Sequence, residues 1–277
     1  MRNNYLILDF NNILYRSIAV HSDLSYQGIY TGGFYGFISQ LISLMNKYEP
    51  TSIITCTDSP PYLRLKEYSD YKKRRKKETD LKIISNKQIA RMQCETLMDL
   101  LGIPLWEIKG LEADDLIYYV CNKIVETADR VIIVSNDDDL NQLFYTFPYI
   151  ELDRSGKLYT DKKFFEEYSN WTKRDYINYL AIKGTHNGVP GLRGFGEKKT
   201  RDIIEKGEVS SYLEEYPELQ QYRKIIMLPY MTLSDKIEKT LKFHKKKNVQ
   251  EAMRMIQNHG IKITPQINNA LRRWQTI

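Results

Sequence analysis

A chain of 277 residues, 42% hydrophobic and 27% charged, is long enough to bury a large core and too ordinary in composition for a disordered or fibrous protein. Its formal net charge of +6 suits a polyanionic partner, although where the charge sits matters more than its sum. Three cysteines without a C-x-x-C spacing exclude a zinc knuckle and point to a reducing compartment, and no apolar run approaches the roughly 18 residues of a membrane span, so a soluble cytoplasmic protein is expected.

The first apolar run, 5–8, reads as a buried strand ending at Asp9. Residues 33–48 follow with apolar side chains at Phe34, Phe37, Ile38, Leu41, Leu44, Met45 and Tyr48, which is helical spacing. A second strand is predicted at 52–57, directly before Asp58. The segment 62–93 differs in character. It holds eleven Lys and Arg against four acids, a net +7 that exceeds the whole chain's +6, so the remainder is close to neutral. A helix predicted over 112–126 opens with acids, which favour a helix N-terminus. R-V-I-I-V-S at 130–135 gives a third strand, running into an acidic cluster at Asp137, Asp138 and Asp139. A hairpin is predicted at 149–159, turning on Asp153-Arg154-Ser155-Gly156.

From 160 onward the pattern is mainly helical, interrupted by the glycine-punctuated stretch G-V-P-G-L-R-G-F-G-E-K-K-T at 188–200. Residues 233–274 divide into three short helices near Lys247 and Gly260. Strands alternating with helices predict an α/β fold, with a mainly parallel central sheet covered by helices on both faces and sites at the carboxyl ends of the strands. The expected division is an α/β core over 1–160 and a helical part over 161–277. Twenty-one tyrosines can pack in a core or stack on bases, and their number does not decide between the two.

Seven acids gather at the predicted strand ends: Asp9 and Asp58 singly, then Glu112, Asp114 and Asp115, then Asp137 and Asp139. Each has a structural reading on its own, because Asp after a strand serves turns and acids at a helix start cap it or answer its dipole. Asp138 is read as structural. Convergence of all three groups favours a metal centre instead, since close carboxylates repel one another and hard divalent cations such as Mg²⁺ or Mn²⁺ relieve this through oxygen ligands. Such ions activate water and stabilise a leaving oxygen in phosphodiester hydrolysis. No His or Cys is placed to suggest zinc.

Taken together, L-D-F-N-N-I-L-Y-R (8–16), T-D-S (57–59), Y-K-K-R-R (71–75), G-L-E-A-D-D-L (110–116), S-N-D-D-D-L (135–140) and P-G-L-R-G-F-G-E-K (190–198) resemble, in order, the motifs of the 5′ nuclease (flap endonuclease) family. That family includes the 5′-nuclease domain of bacterial DNA polymerase I and stand-alone phage enzymes, and the likeness spans roughly 5–205. The resemblance implies a PIN-like fold and a structure-specific nuclease that hydrolyses DNA near 5′ ends and flap junctions. It places Asp9, Asp58, Glu112, Asp114 and Asp115 in a first metal region, with Asp137 and Asp139 in a second. Lys72 and Arg75 would contact the scissile phosphate from one helix face, and Tyr71 would stack on a base. Residues 62–93 would form a basic helical arch, with Arg64, Lys73 and Arg74 also on DNA.

The glycine stretch resembles a helix-3-turn-helix element at about 186–206. There Gly191, Gly194, Gly196, Lys198 and Lys199 would meet DNA phosphates, and backbone oxygens would hold a K⁺ ion. Tight glycine turns let backbone N–H groups approach phosphates without a side chain between. A P-loop is excluded, because Glu197 stands where that motif needs Lys. The resemblance further implies a monomer acting on DNA with a single-stranded 5′ end or flap, with an RNA·DNA hybrid as a second substrate, in a bacterial or phage-infected cell.

The chain departs from the family pattern at 184–191. Where the pattern reads G-D-x-x-D-N, this sequence reads G-T-H-N-G-V-P-G, without either Asp. Thr185, His186 and Asn187 are poor anionic replacements, so the second metal site is expected to be weakened and to favour higher metal concentrations or Mn²⁺. Two alternatives remain open: a DNA-binding paralogue with weakened catalysis, and a PIN-like ribonuclease.

Overall fold

The computed structural model describes residues 3–73, 78–186, 188–243 and 245–277, with Lys236 described by its backbone alone. Strand β1 (Asn4–Asp9) leads into α1 (Phe10–Val20), and a short hairpin of β2 (Ser25–Tyr26) and β3 (Ile29–Tyr30) precedes α2 (Gly32–Tyr48). Strand β4 (Ser52–Cys56), helix α3 (Leu81–Leu100), β5 (Leu105–Trp106), α4 (Ala113–Ile124) and β6 (Arg130–Val134) follow. The hairpin β7 (Ile150–Arg154) and β8 (Lys157–Thr160) completes a six-stranded sheet ordered β5-β4-β1-β6-β7-β8, parallel except for β8.

The remainder is helical: α5 (Asp161–Glu167), α6 (Lys173–Lys183), α7 (Glu197–Glu205), α8 (Val209–Glu215), α9 (Glu218–Ile226), α10 (Asp235–Glu238), α11 (Val249–Asn258) and α12 (Pro265–Thr276). No helix among the described residues is long and apolar enough to cross a membrane.

Successive strand side chains point to opposite faces, and both faces of the central strands are apolar. Ile7, Ile54, Val131 and Ile133 join one buried cluster, with α4, α6 and α9. Leu6, Leu8, Ile53, Ile132 and Val134 join the other, beneath α1, α2, α3, α11 and α12. This is the parallel sheet with helices on both faces that the strand–helix alternation predicts. The expected boundary at residue 160 does not separate two cores, because each cluster takes residues from both sides of it: Leu180 and Leu219 pack on one face, Ile256 and Trp274 on the other. The indole N–H of Trp274 donates to the Leu101 carbonyl, which ties the last helix to the end of α3.

The basic segment 62–93 is not one uniform helix. It begins with a 3-10 turn, Leu63–Lys66, and continues as turns to Lys73, while residues 74–77 lie outside the described set. From Leu81 it becomes α3, whose Ala90, Gln93 and Cys94 are buried in the core. The second half of the expected arch is therefore a core helix. Its apolar positions were masked by the Lys and Arg on its outer face.

Candidate active site

The three central strands set the site. Asp9 pairs with Cys56 across β1 and β4, and Leu8 pairs with Val134 across β1 and β6. The carboxyl ends of adjacent strands therefore deliver Asp9, Asp58 and the Asp137–Asp139 turn to one edge of the sheet, as the sequence predicts. Helix α4 begins at the same edge, so Glu112 at its N-cap and Asp114 and Asp115 in its first turn join them. A cleft of about 510 Å³ opens there, lined by Asn12, Tyr71, Lys72, Glu112, Asp114, Asp137, Asp139, Lys183, Thr185 and His186, among others.

Several acids also serve the fold. Asp9 caps α1, accepting from the Asn12 N–H at 3.1 Å, and its other oxygen accepts from the Ser135 hydroxyl at 2.9 Å. Asp58 accepts the Ala113 N–H at 2.9 Å, so it caps α4 from the neighbouring strand. Asp137 accepts the Asp139 N–H at 3.0 Å and starts the 3-10 helix Asp138–Tyr145. Asp138 pairs with Arg154 at 2.6 Å, which fits its structural reading. The capping and the metal readings of these positions are thus compatible.

Two expectations are corrected. Asp115 is fully buried, and Arg64, also buried, donates to both of its oxygens at 2.5 and 3.0 Å. The Tyr230 and Glu112 N–H groups also donate to it, at 2.8 and 3.3 Å. Asp115 has no lone pair free for a metal, and Arg64, 1% exposed, cannot reach DNA. Arg64 is instead the counter-ion of the cluster, with its guanidinium 3.6 Å from Glu112 and 4.0 Å from Asp114. Burial pulls its pKa down, but Asp114, Asp115 and Glu112 more than offset this and hold it raised.

The arch residues also differ from expectation. Tyr71 is 7% exposed and its hydroxyl donates to Glu112 at 2.9 Å, so its ring is packed and not free to stack on a base. Lys72 has left-handed backbone geometry, with φ 57°, and no described helix contains it. Its ammonium lies 2.7 Å from Glu112 Oε1 and over the Tyr62 ring. Lys73 is exposed and pairs with Asp70, while Arg74 and Arg75 lie outside the described residues.

Among the described residues no three acids, His or Cys form a ready-made metal cage. The caps and the two cations already use oxygens of Asp9, Asp58, Glu112 and Asp115. The donor chemistry nevertheless fits a hard cation. Asp139 Oδ1 is buried without a hydrogen-bond partner. Burial raises the pKa of Asp139, and Asp137 adds to the shift. Asp114 is raised by burial and by Asp115, Glu112 and Asp137, against the lowering influence of Arg64. Asp9 is pushed up to about 7, by burial first and by Asp58 next. Mg²⁺ keeps several waters and needs only one or two carboxylates, so an open arrangement of this kind suffices.

Asp9 gives a test of this crowding. A carboxyl with a raised folded-state pKa stabilises the fold below its unfolded value, here 3.8, and that contribution is lost as pH rises through about 7. In EDTA at pH 8, Asp9→Asn should therefore be more stable than the parent by on the order of 1–3 kcal/mol. The gain should vanish at pH 4. Thermal melts at the two pH values decide it, and an equal difference at both would show that the Asp9 charge is not what crowds the site.

The loop at 184–191 shows how the missing acids are replaced. The Thr185 hydroxyl accepts the Gly188 and Val189 N–H groups at 3.0 and 3.2 Å, so it shapes the turn. His186 is exposed on the cleft wall, and Asn187 lies outside the described residues. Lys183 also lines the cleft, with its ammonium 4.5 Å from the Tyr179 ring centre. Reading the sequence missed it, although it directly precedes the altered loop.

Beyond that loop, a Cβ at Gly191 would stand 2.4 Å from the Gly184 nitrogen, so these glycines permit a backbone crossing. Gly194 and Gly196 face open space. Gly196 caps α7, where Lys198 and Lys199 are exposed, and the Lys199 ammonium sits 3.6 Å from the Phe195 ring centre.

Comparison with known proteins agrees with this geometry. Residues 4–169 match the family described as 5′-3′ exonuclease, N-terminal resolvase-like domain. A 5′-3′ exonuclease of Aquifex aeolicus is 33% identical over 78% of this chain and 74% of its own length. DNA polymerase I of Caldicellulosiruptor bescii is 28% identical over 80% of this chain, which spans only 26% of that protein. Among solved structures, the D15 protein of bacteriophage T5, co-crystallised with metal ions, superposes with a TM-score of 0.65 at 17% identity, over 99% of this chain and 98% of that one. The fold, the acidic strand edge and these likenesses agree: the chain belongs to the 5′-3′ exonuclease family.

Proposed function

We propose that this protein is a structure-specific 5′ nuclease that hydrolyses DNA phosphodiesters at or near 5′ ends and flap junctions. The observation that carries the reading is the joining, in one cleft, of an acidic strand edge, the Lys72 ammonium and the end of a glycine turn. Asp9, Asp58, Glu112, Asp114, Asp137 and Asp139 are the residues that would hold divalent metal. When bound, Mg²⁺ or Mn²⁺ would supply a polarised water and charge stabilisation for the displaced oxygen.

The chain's own residues bind and orient. Lys72 and Lys183 bring positive charge to an otherwise acidic cleft, where it answers the charge of a phosphate diester. Arg75 is proposed beside Lys72 on the phosphate. Gly191, Gly194 and Gly196 with Lys198 and Lys199 would grip the duplex backbone, with the open N–H groups at the start of α7 aimed at phosphate. The helical part from 161 onward thus serves DNA binding, and K⁺ is proposed at the glycine turn. An RNA·DNA hybrid is a second substrate of the same site, and the protein acts as a cytoplasmic monomer.

Use of the Thr185 hydroxyl within its own loop supports the secondary reading, a paralogue that binds DNA with weakened catalysis. A 5′-labelled flap incubated in Mg²⁺, in Mn²⁺ and in EDTA separates the two readings. Cutting near the junction is expected in both metals, faster in Mn²⁺, absent in EDTA and lost in Asp114→Asn while DNA binding survives. Salt-sensitive binding without cutting in either metal would establish the paralogue reading. Preference for single-stranded RNA over the flap would indicate the ribonuclease.

A further inference from the structure

A second cavity, of about 820 Å³, lies away from the acidic cleft. It opens at the N-terminal end of α6, whereas the cleft uses the C-terminal end at Leu180 and Lys183. Along α6 it takes Lys173, Arg174 and Ile177, whereas the cleft takes Leu180 and Lys183, so the two share the helix and no lining residue of it. Lys173, Arg174, Arg223 and Lys224 line it together with Tyr118 and Tyr230, and no Asp or Glu lines it.

Four cations converge there, and among the described residues only Lys224 of the four pairs with a carboxylate. A solvated basic face would be the plain explanation, but Arg223 does not behave as one. Its Nε is buried without a hydrogen-bond partner. Among the described residues neither Arg174 nor Arg223 forms an ion pair, although Lys224 pairs with Glu67 at 2.7 Å. Lys173 has only neutral acceptors, the Thr146 hydroxyl at 3.2 Å and the Leu228 carbonyl at 3.1 Å. The Arg223 pKa is lowered by burial and then by Arg174, and burial lowers that of Lys173, so at these two residues the positive charge is partly desolvated and faces no acid. A buried donor without a partner carries a real desolvation cost, which a bound oxyanion would relieve.

We propose that this cavity is a second anion site, distinct from the nuclease cleft, in which Arg174 and Arg223 hold the phosphate of a nucleotide. Guanidinium groups match the geometry of phosphate through paired N–H donors. The aromatic and apolar walls, Tyr118, Tyr230 and Met227 among them, suit the nucleoside attached to it. The phosphate has two sources, a free mononucleotide or a nucleic-acid strand that continues beyond the cleft.

The test is binding in EDTA, which is independent of cleavage and so of the nuclease reading. Inorganic phosphate, dAMP and a fluorescent single strand are offered at matched ionic strength to the parent, to Arg174→Gln/Arg223→Gln, and to Lys198→Ala/Lys199→Ala at the glycine turn. Phosphate and dAMP should raise the melting temperature of the parent and of the Lys198/Lys199 variant. The Arg174/Arg223 variant should bind them about ten-fold more weakly. Its own melting temperature should equal or exceed the parent's, because the variant removes a like-charge contact, so lost binding is not lost folding. A ten-fold loss confined to the labelled strand would identify the strand as the source. Undiminished binding of all three probes by that variant would overturn the site. So would binding of an acidic peptide alone, since the cavity would then not be built for phosphate.

Discussion

Arg64→Ala is expected to destabilise the protein by about 3–5 kcal/mol at pH 8. The arginine is 1% exposed and its guanidinium answers three acids, bonding both oxygens of Asp115 and lying within 4.0 Å of Glu112 and Asp114. Its Nε also donates to the Ile225 carbonyl at 2.8 Å, which joins the start of α4 to the end of α9. Alanine would leave the buried Asp115 without its counter-ion, with only the Tyr230 and Glu112 N–H groups on its oxygens, and that is costlier than never having had the pair.

The pH dependence separates charge from packing. Arg64 lowers the pKa of both Asp114 and Asp139, against the burial that raises them. Without it their folded-state values rise further. Stability tied to a raised carboxyl is present below the unfolded value and lost as pH rises, so the deficit of the variant should grow from pH 4 to pH 8. Urea midpoints at both pH values measure it. A deficit that is the same at pH 4 and pH 8 would mean that Arg64 acts by filling space. Arg64→Lys should fall between, because an ammonium keeps the charge and loses the two-pronged bond.

Arg64 also marks the limit of what the sequence reveals. The acidic strand ends were legible because strand, turn and acid are local in sequence: Asp9 closes β1, Asp58 stands two residues after β4, and Asp137 stands three after β6. The sheet was legible for the same reason, since the apolar runs 5–8, 52–57 and 130–135 are each one strand. The partners of those acids were not. Arg64 lies in a basic run of which no other described member is buried, and nothing in its neighbours shows that it turns inward to Asp115, 51 residues away. The same run concealed α3, whose first turns carry charge on one side and whose last turns are core. Helix α1 escaped notice because its apolar residues follow Asp9 without a break. Lys183 was missed because it reads as an ordinary basic residue near the end of α6. The Arg223 cavity depends on α4, α6, α9 and a loop meeting in space, which no local pattern records.

Lys72→Ala is expected to lower flap cutting about 100-fold while tightening divalent-metal binding. The two effects have opposite signs because Lys72 can answer either a carboxylate or a phosphate. Its ammonium lies 2.7 Å from Glu112 Oε1, with the side chain 9% exposed, and so neutralises part of the acidic cluster. Any cation entering the cleft competes with it for Glu112, and removing it leaves that carboxylate free. Displaced from Glu112, Lys72 remains on the cleft wall, where phosphate is the next available anion. Its backbone is left-handed at this point of the turn, unfavourable for a residue with a Cβ. Metal titration by calorimetry and single-turnover cutting of the 5′-labelled flap read the two effects separately. Tighter metal binding with undiminished cutting would make Lys72 a counter-ion of Glu112 alone. Slower cutting with unchanged metal affinity would mean that Glu112 is not where metal and lysine compete, and the proposed ligand set would lose that residue.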